Sequence, residues 1–238
     1  SPVGTTGWFQ GNTTVFPAQS GPADSYIGAN FNNTTGANTI SNWLFAPNIN
    51  MKNGDVFSFW TRTVSAPAFA DRLEVRLSTN GASVNAGATS TSVGDFTTLL
   101  LTVNPTLITS GAGSYPNAWT QFTVTLSGLP AGTTSGRIAF RYFVTSGGPA
   151  GANSDFIGID NVVYTSSGGP AQGIWSGPAG TIYTNPGATT LYTGTPATTV
   201  YVKPTATGVN NYTVNFTTLT PCTSATTTVP VTVHSPVT

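Results

Sequence analysis

Ser154-Asp155-Phe156-Ile157-Gly158-Ile159-Asp160-Asn161-Val162-Val163-Tyr164-Thr165 is an apolar strand pattern interrupted by two acids, and it runs straight into the Gly/Pro segment Ser166-Ser167-Gly168-Gly169-Pro170. A strand that stops at such a breaker reads as the closing strand of a domain. The chain therefore divides into a first domain over residues 1–165, a linker over 166–172 and a second domain over 173–238.

Upstream of that stretch, period-two alternation recurs at short intervals and helical periodicity is almost absent. Asn53-Gly54-Asp55 is a strong turn signal leading into Val56-Phe57-Ser58-Phe59-Trp60-Thr61-Arg62, with Phe57 and Phe59 on one face and Trp60 and Arg62 on the other. Asp71 to Ser78 places Leu73, Val75 and Leu77 inward and Arg72, Glu74 and Arg76 outward; Arg137 to Val144 places Ile138, Phe140, Tyr142 and Val144 inward. About eight or nine short strands precede residue 166, the number expected of a jelly-roll β-sandwich. The fold class is all-β: a jelly-roll β-sandwich followed by a small immunoglobulin-like β-sandwich.

Composition narrows the function. Seven Lys and Arg balance seven Asp and Glu, and charged residues are only 6% of 238 residues, so no basic footprint exists for nucleic acid or anionic lipid. No run approaches the ~18 apolar residues of a membrane helix, which argues against direct membrane insertion. Low charge with abundant Thr, Ser, Asn and Gly suits a secreted or cell-surface protein, in which hydroxyls and amides solvate exposed strands. Cys222 is alone, so no intrachain disulfide is available, and the one histidine, His234, stands near the C-terminus without a catalytic partner. Asp71 and Glu74 lie three apart on a strand and project to opposite faces, so they are no glycosidase pair; Asp155 and Asp160 would meet only if the strand bent at Gly158. The chain is read as no enzyme.

The acids suit calcium better. Asp160 breaks the run Ile157, Ile159, Val162, Val163, and a carboxylate there needs a cation, an arginine or several hydrogen bonds. Asp160 is the first candidate metal ligand, Asp24 its most plausible partner, then Asp155 and Asp71, around a structural Ca2+. The alternative is that Asp160 caps backbone amides or pairs with an arginine. For the outward charges, Trp60, Arg62, Glu74, Arg76 and Arg141 are candidate ligand-binding residues, an aromatic platform with polar groups for a surface glycan. The simpler reading is a cross-strand ladder of Arg62 or Arg141 against Glu74.

Several motifs in order carry a resemblance: Ser41-Asn42-Trp43-Leu44 followed by a proline, Asn53-Gly54-Asp55, Asp71 to Ser78, Trp119 ahead of a strand, Gly136 to Tyr142, and Ile157-Gly158-Ile159-Asp160-Asn161-Val162. Together they resemble the choice-of-anchor J family, related to the cleaved adhesin domains of secreted bacterial proteins. The resemblance implies a non-catalytic jelly-roll module on the bacterial cell surface that mediates adhesion or carbohydrate or protein binding, in some members with structural calcium. It also implies a strand upstream of Trp8, so the first domain is expected to have an open edge that preceding sequence or another subunit fills. That expectation leads to an alternative function, a structural subunit or stalk of a cell-surface filament in which copies of the chain contact one another.

Residues 170 to 238 contain no acid, and short strands recur within them. Tyr212 two positions before Val214 resembles the Tyr-x-Cys corner of immunoglobulin-like strands, and such modules occur in tandem on exported surface proteins. Pro230 marks its strand as an edge or a bulge, since proline donates no ladder hydrogen bond.

Overall fold

Strict alternation becomes a two-sided strand in the computed structural model, which describes residues 3–167, 172–216 and 225–235. Among these the chain forms β1 (Phe9–Gln10), β2 (Ile27–Asn30), a 3-10 turn (Phe31–Asn33), β3 (Ile40–Phe45), β4 (Ile49–Met51), β5 (Val56–Thr63), β6 (Leu73–Ser78), β7 (Thr98–Val103), β8 (Thr120–Thr125), β9 (Thr134–Val144) and β10 (Phe156–Thr165). The short β4 is the strand that alternation missed, because three residues show no period. Two compact units result, residues 1–167 and 168–238. Ser166 and Ser167, read as linker, belong to the first: Ser167 N–H donates to the Asp55 carboxylate at 2.7 Å and Ser166 Oγ donates to it at 3.1 Å.

The first unit is two antiparallel sheets face to face. One has the order β1-β2-β10-β5-β8; the other has the order β3-β9-β6-β7, with β4 also paired to β9. Their inner faces bury Phe57, Phe59, Leu73, Val75, Phe140 and Ile157, at most 3% exposed. Phe140 sits edge-on to Phe59 at 4.9 Å between ring centroids, so aromatic packing links the two sheets at the centre. Asp55, absent from the sequence-based candidates, is fully buried at the entry to β5. Burial alone would raise its carboxyl, but hydrogen bonds from Tyr164, the Lys52 N–H and Ser167 hold it down at about 2.

Both outer faces are covered as well, which the alternation did not foresee. On the first sheet, Phe16 and Tyr26 from the segment between β1 and β2 stack at 5.0 Å and meet Trp119 and Phe156. Gly158 makes the room: a Cβ there would lie 2.8 Å from Phe16, 2.9 Å from Trp119 and 2.9 Å from Tyr26. Gly158 does not bend the strand; it pairs in register with Gly28 on one side and Arg62 on the other. The irregularity lies further on, between Asp160 and Val163, where Asn161 adopts φ +45°.

On the second sheet the loop from 79 to 97 lies over the strands. Its Phe96, fully buried, packs against Trp43 and Phe45 at 5.4 and 5.1 Å. Glu74 and Arg141, expected in solvent, are therefore 7% and 1% exposed.

The second unit contains β11 (Ile174–Ser176), β12 (Ile182–Tyr183), β13 (Tyr201–Val202), β14 (Gly208–Phe216) and β15 (Ala225–Val233). Its sheets have the orders β11-β14-β15 and β12-β13. Tyr212 and Val214 share the buried face, and Tyr212 Oη donates to Thr181 Oγ1 at 3.0 Å. Pro230 lies in β15, which among the described residues is an edge strand of its sheet, in register with Asn211. Residues 190–192, read as a strand, contribute only an isolated bridge from Leu191 to Tyr183. Cys222 lies outside the described residues.

Candidate functional site

The candidate residues fall into four settings. Trp60 and Arg62 lie on β5 in one sheet, whereas Glu74, Arg76 and Arg141 lie on β6 and β9 in the other. They form no common platform, because the loop from 64 to 72 carries the chain across the sandwich between β5 and β6. Arg62 stacks on Phe16 at 4.4 Å and donates to the Asn117 carbonyl at 2.7 Å, which ties down the covering aromatic cluster. Glu74 accepts from Arg76 Nε at 2.7 Å and Arg141 Nη1 at 3.1 Å. Arg141 also stacks on Phe143 at 3.7 Å and donates to Ser41 Oγ at 2.9 Å and to the Ser90 carbonyl at 2.5 Å. Burial alone would raise the Glu74 carboxyl, yet the two guanidinium groups hold it below the ordinary range. The ladder of Arg141 against Glu74 is present, sealed under the 79–97 loop and closed to a ligand. Arg62 takes no part in it.

The four acids separate into two pairs. Asp160 accepts from the backbone N–H groups of Gln19 at 2.8 Å, Ser20 at 3.3 Å and Asn161 at 2.7 Å. Asn161 extends the clasp: its amide donates to Gln19 Oε1 and its Oδ1 accepts from Ser20 Oγ at 3.1 Å. Asp24, in the same loop, accepts from Gln10 Nε2 at 2.9 Å. A calcium shell needs converging oxygens, whereas here N–H groups face the Asp160 carboxylate. Among the described residues no three His, Cys, Asp or Glu side chains converge on one point. The arrangement of Asp160 and Asp24 does not fit calcium; Asp160 clips the loop over β10 instead.

Asp71 is also an anchor. It accepts from Tyr142 Oη at 2.5 Å and from the Asp155 N–H at 2.9 Å, and its Oδ2 lies 2.7 Å from Thr63 Oγ1. Burial pushes its carboxyl up to about 6, against these hydrogen bonds, and the neighbouring Asp155 charge adds to the rise. Thr63 Oγ1 also reaches the Phe156 carbonyl at 2.9 Å. Thr63 thus shares its one hydroxyl proton between the Asp71 carboxylate and the Phe156 carbonyl.

Asp155 differs from all of these. It opens on a cavity of about 210 Å³ at the loop end of the sandwich, lined by Phe31, Ala68, Phe69, Pro149 and Ser154 among others. Three segments meet there: the 3-10 turn after β2, the loop before β6 and the loop before β10. Phe31 N–H donates to the Asp155 carbonyl at 3.0 Å and Ser154 N–H to the Ala70 carbonyl at 2.8 Å, which fixes the three together. Ser154 stands at φ +78° with its Oγ accepting from Gly148 N–H at 2.9 Å. Gly148 has φ +90°, and a Cβ on it would lie 2.4 Å from the Gly36 carbonyl oxygen, so the wall closes only with glycine there. Burial raises the Asp155 carboxyl, partly offset by the backbone N–H of Ala68. Phe69 is 44% exposed and Phe31 37% exposed. The sequence singled out Asp155 but not its setting, since the two rings sit about 86 and 124 residues away with no local signal.

No family model matches the chain, and no curated protein matches it. Its structural neighbours include cleaved adhesin domains of Lys-gingipain. The K1 domain from Porphyromonas gingivalis is 25% identical with a TM-score of 0.44, covering 69% of this chain and 86% of that one. The K2 domain is 19% identical at a TM-score of 0.43, covering 69% and 84%. The K3 domain from Porphyromonas gingivalis is 20% identical at 0.39, covering 67% and 91%.

Proposed function

We propose that the chain is a non-catalytic recognition module of the bacterial cell surface, engaging a surface glycan or protein partner through the loop end of its first domain. The observation that carries this is the Asp155 cavity: partly enclosed, assembled from three loops, rimmed by exposed aromatic rings. Such loop-built pockets on a rigid sandwich are where binding residues concentrate. The resemblance to choice-of-anchor J modules agrees with it, and no described helix is long and apolar enough to cross a membrane. Arrays of bacterial and host glycans and of extracellular proteins, probed with the whole chain, test the reading. Saturable binding that Phe69→Ala weakens supports it; no binding to either array contradicts it.

A second reading, a filament or stalk subunit, rests on a different place. β1 and β3 are edge strands of the opposed sheets, and a groove of about 460 Å³ lined by Trp8, Phe9, Ile27 and Leu44 lies at that edge. The Trp8 indole N–H is buried there without an acceptor among the described residues. An added strand would supply both backbone pairing and apolar side chains. Electron micrographs of native assemblies test this: copies joined along β3 support it, and dispersed single chains contradict it.

A further inference from the structure

We infer that the Asp155 cavity takes an organic ammonium group, as at the tip of a lysine side chain on a partner, an assignment that rests on the recognition reading above. Three features fix that chemistry. The first is charge: Asp155 lines the cavity, and among the described residues both ion pairs belong to Glu74 and no side chain neutralises Asp155. Beneath it Asp71 faces Tyr142 and Thr63, with no cation in contact, so the local field favours a positive ligand.

The second is the lining. Phe31 and Phe69 present phenyl rings, and Ala68 and Pro149 complete an apolar wall. A ring face attracts a cation through its quadrupole, and the wall suits the methylene stem behind an ammonium head. Calcium matches this poorly, since it wants six to eight oxygens and Asp155 is the one carboxylate in the lining. The third is size. About 210 Å³ admits an aminoalkyl chain but not a folded segment of peptide. The half-buried carboxyl, raised by its surroundings, is the kind that gains most when a cation arrives.

The probe is Nα-acetyl-lysine amide, titrated into the whole chain and followed by heteronuclear NMR, with Nα-acetyl-norleucine amide as the uncharged control. Saturable shifts at Phe31, Phe69 and Asp155 are expected with the lysine probe, with the control at least about tenfold weaker. Asp155→Asn, which keeps shape and a hydrogen-bond acceptor for Ala68, should weaken the lysine probe by about tenfold, and Phe69→Ala by about threefold. Equal binding of probe and control, no saturable shift with the lysine probe, or an Asp155→Asn chain that binds it unchanged overturns the assignment. So does calcium chloride that displaces the lysine probe competitively. Array partners whose binding ignores Asp155→Asn would leave the recognition reading standing while removing this one; a bound lysine probe with blank arrays would do the reverse.

Discussion

Two acids five residues apart, Asp155 just before β10 and Asp160 within it, have opposite surroundings. Asp160 faces three N–H donors from its own chain and sits at a bulge that turns it toward the 17–20 loop. Asp155 faces a cavity, two exposed rings and no cation among the described residues. A carboxylate saturated by its own backbone holds the fold together, whereas one desolvated beside empty space is free to meet a partner.

The comparison breaks most visibly at Asp160. Asp160→Ala leaves the Gln19, Ser20 and Asn161 N–H groups without their acceptor and should cost about 2–4 kcal/mol, read as denaturant unfolding of the first domain. A chelator should leave the wild-type melting temperature unchanged, because amide hydrogens occupy the carboxylate. Unchanged stability in the variant, or a chelator-induced drop in the wild type, would show that the clasp is not what holds the loop.

Next is Gly158→Ala, which forces a methyl into the Phe16, Trp119 and Tyr26 cluster and should cost about 1–3 kcal/mol by overpacking. If chemical denaturation shows no loss, the covering segment is not packed on β10 as described.

Asp71 sharpens the contrast through pH. Its folded carboxyl, raised to about 6, contributes stability that is complete below pH ~4 and is lost as pH rises through about 6, up to about 3 kcal/mol. Asp55 has the opposite sign: held at about 2, it contributes stability above pH ~4 that is lost as pH falls toward 2. Asp71→Asn mimics the neutral acid, so unfolding measured from pH 4 to 7 should lose its Asp71-linked slope and change little at pH 4. A slope identical to wild type would refute the buried-acid assignment. The smallest effect on stability belongs to Asp155→Asn, expected within about 0.5 kcal/mol in the same assay, since the amide oxygen keeps an acceptor for the Ala68 N–H.

Much of the fold was legible because strands with one inward face write it in period two: Phe57 and Phe59, Leu73, Val75 and Leu77, and Ile138 through Val144 all point where alternation placed them. The covering of the outer faces was not legible. The 79–97 loop is rich in Gly, Ser, Thr and Ala and reads as solvent-exposed, and only Phe96 hinted that it folds back over Glu74 and Arg141. Asp160 was visible as an acid in an apolar run, but its donors Gln19 and Ser20 lie about 140 residues away, beyond any local pattern. The amide-capping alternative described its environment; the calcium shell did not. Pairing Trp60 and Arg62 with Glu74, Arg76 and Arg141 failed for a topological reason, since alternation assigns a face within a strand but not which sheet the strand joins.

The division of labour between Asp155 and Asp160 is tested most directly by thermal unfolding of Asp155→Asn and Asp160→Asn, side by side, at neutral pH. Asp160→Asn should lower the first-domain transition by about 4–8 °C, since one acceptor oxygen and an amide replace two acceptor oxygens facing N–H donors, while Asp155→Asn should move it by about 1 °C or less. Equal shifts for the two variants, or a larger one for Asp155→Asn, would contradict the account.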